Sequence, residues 1–397
     1  MTSSQRDKGE GAEIRIDGSR VTALLARLVR TRSENPPGEE SAAAAIVEAE
    51  SQDLSLDVEV VESEPGRPSV IARWRGRPGP RLIYCSHIDV VPAGPPSLWD
   101  VDPYGAEIVD GRMHGRGSSD AKGCVAAAFE AVRALKEAGF EPEGTLELMM
   151  VADEETMGFK GAGYLMERGL LGSDFGIVGE PTSLRVVTAQ RGASWARITT
   201  KGVAAHGSAP ERGRNAIKHM AEIVLQLEET LPSDVHPILG GANISVGTIH
   251  GGEKVNIVPA ACVIEVDRRS LPHETREDVL AQLNEAVGRA RRRFPDLEAE
   301  VDLMFSGEAF EVERDAVTVK TVSQAVWDAT GAPGKLIGFR GASDARFLVE
   351  SGAQTVLCGP GDIALAHTAR ESIDLHELEQ GARVYALSFA RLLGVAS

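Results

Sequence analysis

Histidines and carboxylates recur through this chain at points where apolar runs give way to turns. His87 and Asp89 stand in Tyr84-Cys85-Ser86-His87-Ile88-Asp89-Val90-Val91-Pro92, and Asp120 stands in Gly115-Arg116-Gly117-Ser118-Ser119-Asp120-Ala121-Lys122-Gly123. Glu154 and Glu155 follow Ala152-Asp153, Glu180 lies in Gly179-Glu180-Pro181-Thr182, and His367 opens His367-Thr368-Ala369-Arg370-Glu371. Two imidazoles with several carboxylates form a mixed nitrogen and oxygen donor set. Such a set suits zinc, cobalt or manganese better than magnesium or calcium. One further carboxylate beside the ligands is available as a general base. Glu154 and Glu155 are neighbours and project to opposite sides of an extended segment, so they divide these duties rather than share one. The pattern is that of a metal-dependent hydrolase.

The elements that must position these groups are legible as periodicity. Helical spacing of apolar residues covers 20–31 and stops at Ser33-Glu34-Asn35-Pro36-Pro37-Gly38, because proline cannot continue a helix. A second helix is predicted over 41–53, strands near 57–62 and 68–75, and a buried strand over 81–86 that ends at His87. A long alanine-rich helix over 123–138 precedes a strand over 144–152 that ends at the two glutamates, and a short strand over 175–179 ends at Glu180. Alternating strands and helices predict an α/β fold with a mixed, largely parallel sheet flanked by helices. Sites in such sheets gather at the carboxyl ends of the strands, where these candidate ligands fall.

The middle of the chain changes character. A strand over 187–201, a helix over 213–230, strands over 242–249 and 254–267, a helix over 275–293 and a strand near 298–304 give the order β-α-β-β-α-β. That order predicts an inserted ferredoxin-like α+β domain. The expected division is therefore 1–186 for the first part of a catalytic domain, 187–306 for an inserted lid and dimerisation domain, and 307–397 for the rest of the catalytic domain, closing on a helix over 376–393.

Bulk properties exclude some classes. A length of 397 residues favours two domains. The net charge of -17 argues against a nucleic-acid or membrane-surface partner, since nothing offsets phosphate repulsion. Four scattered cysteines without a Cys-x-x-Cys pair read as buried thiols in a reducing compartment, which points to the cytoplasm. The polar start, Met1 to Gly11, is expected to be frayed and shows no secretory signal.

Taken together, the motifs from Ser33-Glu34-Asn35-Pro36-Pro37-Gly38 to the final helix resemble the M20 family of metallopeptidases and amidohydrolases, and within it the acetylornithine deacetylase and succinyl-diaminopimelate desuccinylase branch. The resemblance implies two divalent ions, expected to be zinc with cobalt or manganese as alternatives. His87, Asp120 and Glu180 would hold one, and Asp120, Glu155 and His367 the other, so that Asp120 bridges. It implies that Asp89 orients His87, that Glu154 is the general base, and that His206 donates to the developing oxyanion across a dimer interface. Asn256, Arg269, Gly341 and Ser343 match substrate-side positions, with Arg268 close enough in sequence to take the place of Arg269. Two departures stand out: Arg340 occupies the place of a usual glycine, and Ala369-Arg370 precede Glu371 where that branch tends to carry an acid. The implied function is hydrolysis of the amide bond of an N-acyl amino acid by metal-activated water, in a homodimer that binds a small molecule. A dipeptidase or carboxypeptidase with the same machinery is the nearest alternative. A non-catalytic metal-binding relative and a ring- or amidine-directed aminohydrolase are further ones.

Overall fold

The computed structural model describes residues 13–394; the expected frayed start, Met1 to Gly11, lies outside them. Helix Gly18–Arg30 shows how local sequence builds an element. Asp17 caps it by accepting the N–H groups of Ser19 and Arg20, and Val21, Leu24, Leu25, Leu28 and Val29 repeat at helical spacing and are buried. Strand Arg77–His87 is buried without alternation from Leu82 onward, because helices cover both faces of a parallel sheet centre. Helix Lys122–Glu137 is rich in alanine and buried on nearly all sides, which small side chains permit.

The chain divides into two compact units. One takes the residues up to Thr188, Val312–Leu336, and those from Ser343 onward; the other takes Ala189–Glu311 and Ile337–Ala342. The second unit thus includes Ile337–Ala342, which carries Arg340 and Gly341, beside the long middle segment.

In the first unit the sheet runs Asp57–Glu62, Pro68–Arg75, Glu143–Val151, Arg77–His87, Phe175–Val178, Gln354–Leu357 and the first three residues of Val186–Gln190. The four strands at its centre are parallel and the flanking pairs antiparallel. His87 pairs with Val151, so the ends that carry His87, Glu154 and Glu155 are level with one another. Helices Lys122–Glu137 and Leu375–Leu393 pack at the core with Tyr84, Tyr385 and Phe389. Both buried phenols find acceptors: Tyr84 donates to the Cys124 carbonyl (2.9 Å) and Tyr385 to the Cys358 carbonyl (2.8 Å). A small sheet of Glu107–Val109, Arg112–His114 and Ser372–Asp374 also belongs to this unit. Its strands are too short for periodicity to reveal.

The second unit holds an antiparallel sheet in the order Asn243–Gly251, Ala261–Ser270, Gly192–Lys201, Glu298–Gly307. Helices Ala216–Glu229 and Arg276–Arg293 cover one face, the ferredoxin-like arrangement expected from element order. Two expectations change. The strand read over 187–201 breaks at Arg191, whose N–H turns to the Phe339 carbonyl. The strand read over 254–267 begins only at Ala261: Pro259 lacks a donor for the ladder, and residues 254–257 form a turn closed by Ile257 N–H on the Lys254 carbonyl.

Candidate metal centre

Each candidate ligand sits at a strand end or in a loop fixed by its neighbours. His87 closes its strand and is 1% exposed. Its Nδ1 faces the Asp89 backbone carbonyl at 2.9 Å, with the Asp89 carboxylate farther off at 3.5 Å. The carbonyl accepts from Nδ1, and the carboxylate stands beside the same ring nitrogen, so both groups of Asp89 orient the His87 ring. The Asp89 carboxylate has other work. It accepts the N–H of Glu154 (3.3 Å), the N–H of Glu155 (3.1 Å) and the side-chain amide of Asn35 (2.8 Å), and so shapes the turn that presents both glutamates.

That turn is further constrained at Asp153, whose φ of 72° lies in the left-handed region. The Asp153 carboxylate accepts from Arg67 (2.6 Å), from the Thr156 hydroxyl (2.7 Å) and from the Lys160 N–H (2.9 Å), which hold that conformation. Arg67 in turn pairs with the buried Glu40. Asn35, Arg67 and Glu40 were not singled out from sequence. Asn35 alone carried a signal, since it stands inside the Ser-Glu-Asn-Pro-Pro-Gly stretch.

Asp120 precedes helix Lys122–Glu137, and its peptide bond to Ala121 is cis. One carboxylate oxygen lies 3.2 Å from His87 Nε2 and the other 3.3 Å from His367 Nε2. His367 Nε2 also lies 2.9 Å from Glu155 Oε2, while Glu155 Oε1 accepts the Val91 N–H at 3.2 Å. Ligand atoms of His87, Asp120 and Glu155 all fall within 4.8 Å of one another. His367 has a φ of 61°, an uncommon conformation for a residue with a Cβ, held at a point where its ring meets two carboxylates.

The electrostatics call for cations. Burial pushes Glu180 well above the usual carboxylate range; nearby His87 opposes that and Asp120 adds to it. Burial and the neighbouring Glu180 do the same to Glu154. Burial also pushes Asp120 upward, but the His367 and His87 rings outweigh it and hold Asp120 well below its ordinary value. His367 is pushed up to about 10 by Asp120 and Glu155. So many acids in one low-dielectric pocket cannot all ionise unless positive charge sits among them. The donor chemistry agrees. Ligand atoms of one imidazole and two carboxylates, those of His87, Asp120 and Glu155, are close enough together for one ion to take both nitrogen and oxygen donors. The donor set therefore fits divalent ions.

The other candidates are placed as follows. His206, Asn256, Arg269 and Gly341 belong to the second unit, and Ser343 to the first. His206 is exposed, and its Nδ1 accepts the Ser208 N–H at 3.1 Å, which leaves the proton of the neutral ring on Nε2. Asn256 is exposed on the neighbouring turn, its carbonyl bonded to the Gly207 N–H. Arg268 is fully buried against Glu274, whereas Arg269 is partly exposed and paired with Asp267. Gly341 lies against the Phe339 ring, where a Cβ would come within 2.8 Å of Cε1. Ser343 is 1% exposed and its hydroxyl accepts the Ala345 N–H at 3.3 Å at the start of helix Ala345–Glu350.

The family model for peptidase family M20/M25/M40 matches residues 83–391. The chain belongs to this family. It is a metal-dependent hydrolase that acts on amide bonds. It is 30% identical over 329 residues to a succinyl-diaminopimelate desuccinylase of Methylobacillus flagellatus, covering 80% of this chain and 86% of the relative. It is 28% identical over 397 residues to the desuccinylase of Thiobacillus denitrificans, covering 97% and 98%. Among solved structures, a tripeptidase from Staphylococcus aureus superposes with a TM-score of 0.79 at 23% identity, covering 95% of this chain and 99% of that one. A metallo-carboxypeptidase from Sulfolobus solfataricus gives 0.76 at 19% identity, covering 94% and 98%. At those identities the structures speak to the fold alone.

Proposed function

We propose that this M20 hydrolase removes an acyl group, one bearing its own carboxylate, from an N-acyl amino acid, and that His87, Asp120, Glu155, Glu180 and His367 hold two divalent ions for that purpose. The observation that carries this reading is Asp120, with one oxygen toward each of two imidazoles (3.2 and 3.3 Å). A single carboxylate between two nitrogen donors is what a pair of cations about 3.5–4 Å apart requires. His87 and Glu180 would complete one ligand set, Glu155 and His367 the other. The ions, when bound, supply Lewis acidity toward the amide carbonyl and make water acidic near neutral pH.

The chain's own residues do the remainder. Glu154, presented by the Asp89 carboxylate through its N–H, takes a proton from the attacking water and returns it to the departing amine. Its neighbour Glu155 is engaged by Val91 and His367, which leaves Glu154 as the carboxylate free for proton transfer. His206, with Nδ1 accepting the Ser208 N–H, has Nε2 left as the ring nitrogen to donate to an oxyanion, and Asn256 lies on the neighbouring turn.

The positive charge carried by the second unit supports an acidic acyl group. Arg191 is buried and its guanidinium is held below its ordinary value by that burial and by the positive charges of Arg340 and Arg269. Guanidinium groups gathered in one unit suit carboxylates. The named activity of the curated relatives agrees with a succinyl group.

We take zinc as the native ion, with cobalt or manganese able to replace it, and the protein as a cytoplasmic homodimer. Four buried, unpaired cysteines support a reducing compartment. Among the described residues no helix is long and apolar enough to cross a membrane. Strand Asn243–Gly251 supports the dimer, since it is the outer strand of its sheet and carries the exposed Ile249 beside helix Ala216–Glu229.

The deciding experiment is a panel of N-succinyl, N-acetyl and N-formyl amino acids and dipeptides, assayed with and without chelator. The expected ranking puts N-succinyl substrates first, with all turnover lost to the chelator. Arg340→Gly should narrow the preference for succinyl over acetyl by about tenfold, the scale of one lost charged contact. Faster cleavage of dipeptides than of any acyl-amino acid would favour the peptidase alternative.

A further inference from the structure

Glu371 is fully buried, four residues after His367, and every acceptor it owns is spent on the loop that ends at Asp120. One carboxylate oxygen accepts three backbone N–H groups: Gly117 (2.9 Å), Ser119 (3.2 Å) and Asp120 itself (3.1 Å). The other oxygen pairs with Arg116. The Glu371 backbone carbonyl accepts the Gly115 N–H at 3.1 Å. Convergence of successive N–H groups on one anion is a nest, and here the left-handed φ of Gly117 (82°) turns the backbone into it. Arg116 is 3% exposed, lies over the Trp99 ring at 5.2 Å and reaches back to the Thr368 carbonyl at 3.4 Å. One side chain thus ties together the segment that carries His367 and the loop that carries Asp120.

We propose that Glu371 is a positioning residue that sets the register between Asp120 and His367, and thereby the affinity of the centre for the cation those two residues share with Glu155. The inference rests on the ligand assignment proposed above. Glu371 touches neither substrate nor cation and acts through two backbones. Its charge is matched by Arg116, so the pair costs less to bury than an isolated acid would, and the charge-assisted bonds to the loop are of the stronger kind. Without it, three N–H groups in a buried loop lose their acceptor, and the Asp120 carboxylate loses its fixed distance from the His367 ring.

The test is cation binding in the absence of substrate. Wild type, Glu371→Gln, Glu371→Ala and His367→Ala are stripped and titrated with Zn2+ against a competing chelator, and with Co2+ followed by its visible absorption. Wild type is expected to take up two ions and His367→Ala to lose one tightly held ion. Glu371→Gln keeps an oxygen for the loop but not the charge; it should weaken one of the two sites by about 10- to 100-fold, the usual cost of removing a group that orients a ligand. Glu371→Ala should weaken the same site further and alter the Co2+ spectrum, so that glutamine counts as partial rescue. If Glu371→Ala does not fold, Glu371→Gln decides alone. Two affinities within about twofold of wild type in Glu371→Gln, with an unchanged Co2+ spectrum, would overturn the proposal. A wild-type stoichiometry below two would instead sink the ligand assignment, and the proposal with it, so the two failures are told apart by the wild-type titration.

Discussion

Glu154 and Glu155 share a turn and a chemistry, yet their surroundings separate them. Glu155 has both oxygens engaged, one by the Val91 N–H and one by His367, whereas Glu154 is held only through its backbone. Replacing Glu154 by alanine should therefore lower kcat by at least about 10²- to 10⁴-fold, the range of a lost acid-base group, and leave the content of divalent ions near that of wild type. Metal analysis beside the kinetics checks this; loss of an ion together with activity would exchange the roles of the two glutamates. Most of the ion-binding candidates were legible as residue types at motif spacing. Their partners were less so. Asn35, Arg67 and Glu40 act through contacts between segments far apart in the chain, and nothing in their local sequence says that Arg67 will meet Asp153 at 2.6 Å. Asp89 was expected beside His87, but that its carbonyl comes closer to the ring than its carboxylate depends on backbone geometry that no local pattern shows.

At the scale of elements, periodicity located the long helices and buried strands to within a few residues, since burial of one face imposes the repeat. It failed where the repeat is absent or interrupted. Glu107–Val109, Arg112–His114 and Ser372–Asp374 are three residues each and exist only because they pair with one another. Ala345–Glu350 is a helix of six residues whose first N–H, that of Ala345, is accepted by the Ser343 hydroxyl, and its brevity hid it. Strand Asn243–Gly251 makes the element-level prediction. An exposed outer strand with an apolar residue at Ile249 is a liability unless covered. Ile249→Lys should shift the protein from dimer to monomer in sedimentation velocity while leaving its circular dichroism unchanged; a monomeric wild type would refute the dimer directly.

For the whole molecule, the centre is a load on stability as well as a site of chemistry. Carboxylates crowded into a buried pocket repel one another until cations arrive. Removal of the ions with a chelator should lower the melting temperature by several degrees, and added Zn2+ should restore it, because a ligand at ~100–1,000 times its Kd stabilises by ~2.7–4.1 kcal/mol. Scanning calorimetry with and without chelator measures this; a melting temperature indifferent to chelation would mean that the donors do not bind ions tightly.

The sequence by itself determined the α/β class, the order of the strands and helices and the residue types on which the proposed ion centre draws, because hydrophobic repeats and donor types are local properties. The tertiary structure decided which side chains hold those residues in place: the Asp89 carboxylate under the glutamate turn, Arg67 on Asp153, and Glu371 beneath the Asp120 loop. It also decided that Ile337–Ala342 belongs with the second unit. Those relations join segments separated by tens to hundreds of positions, and only close packing, which brings each buried acceptor to a donor, brings them together.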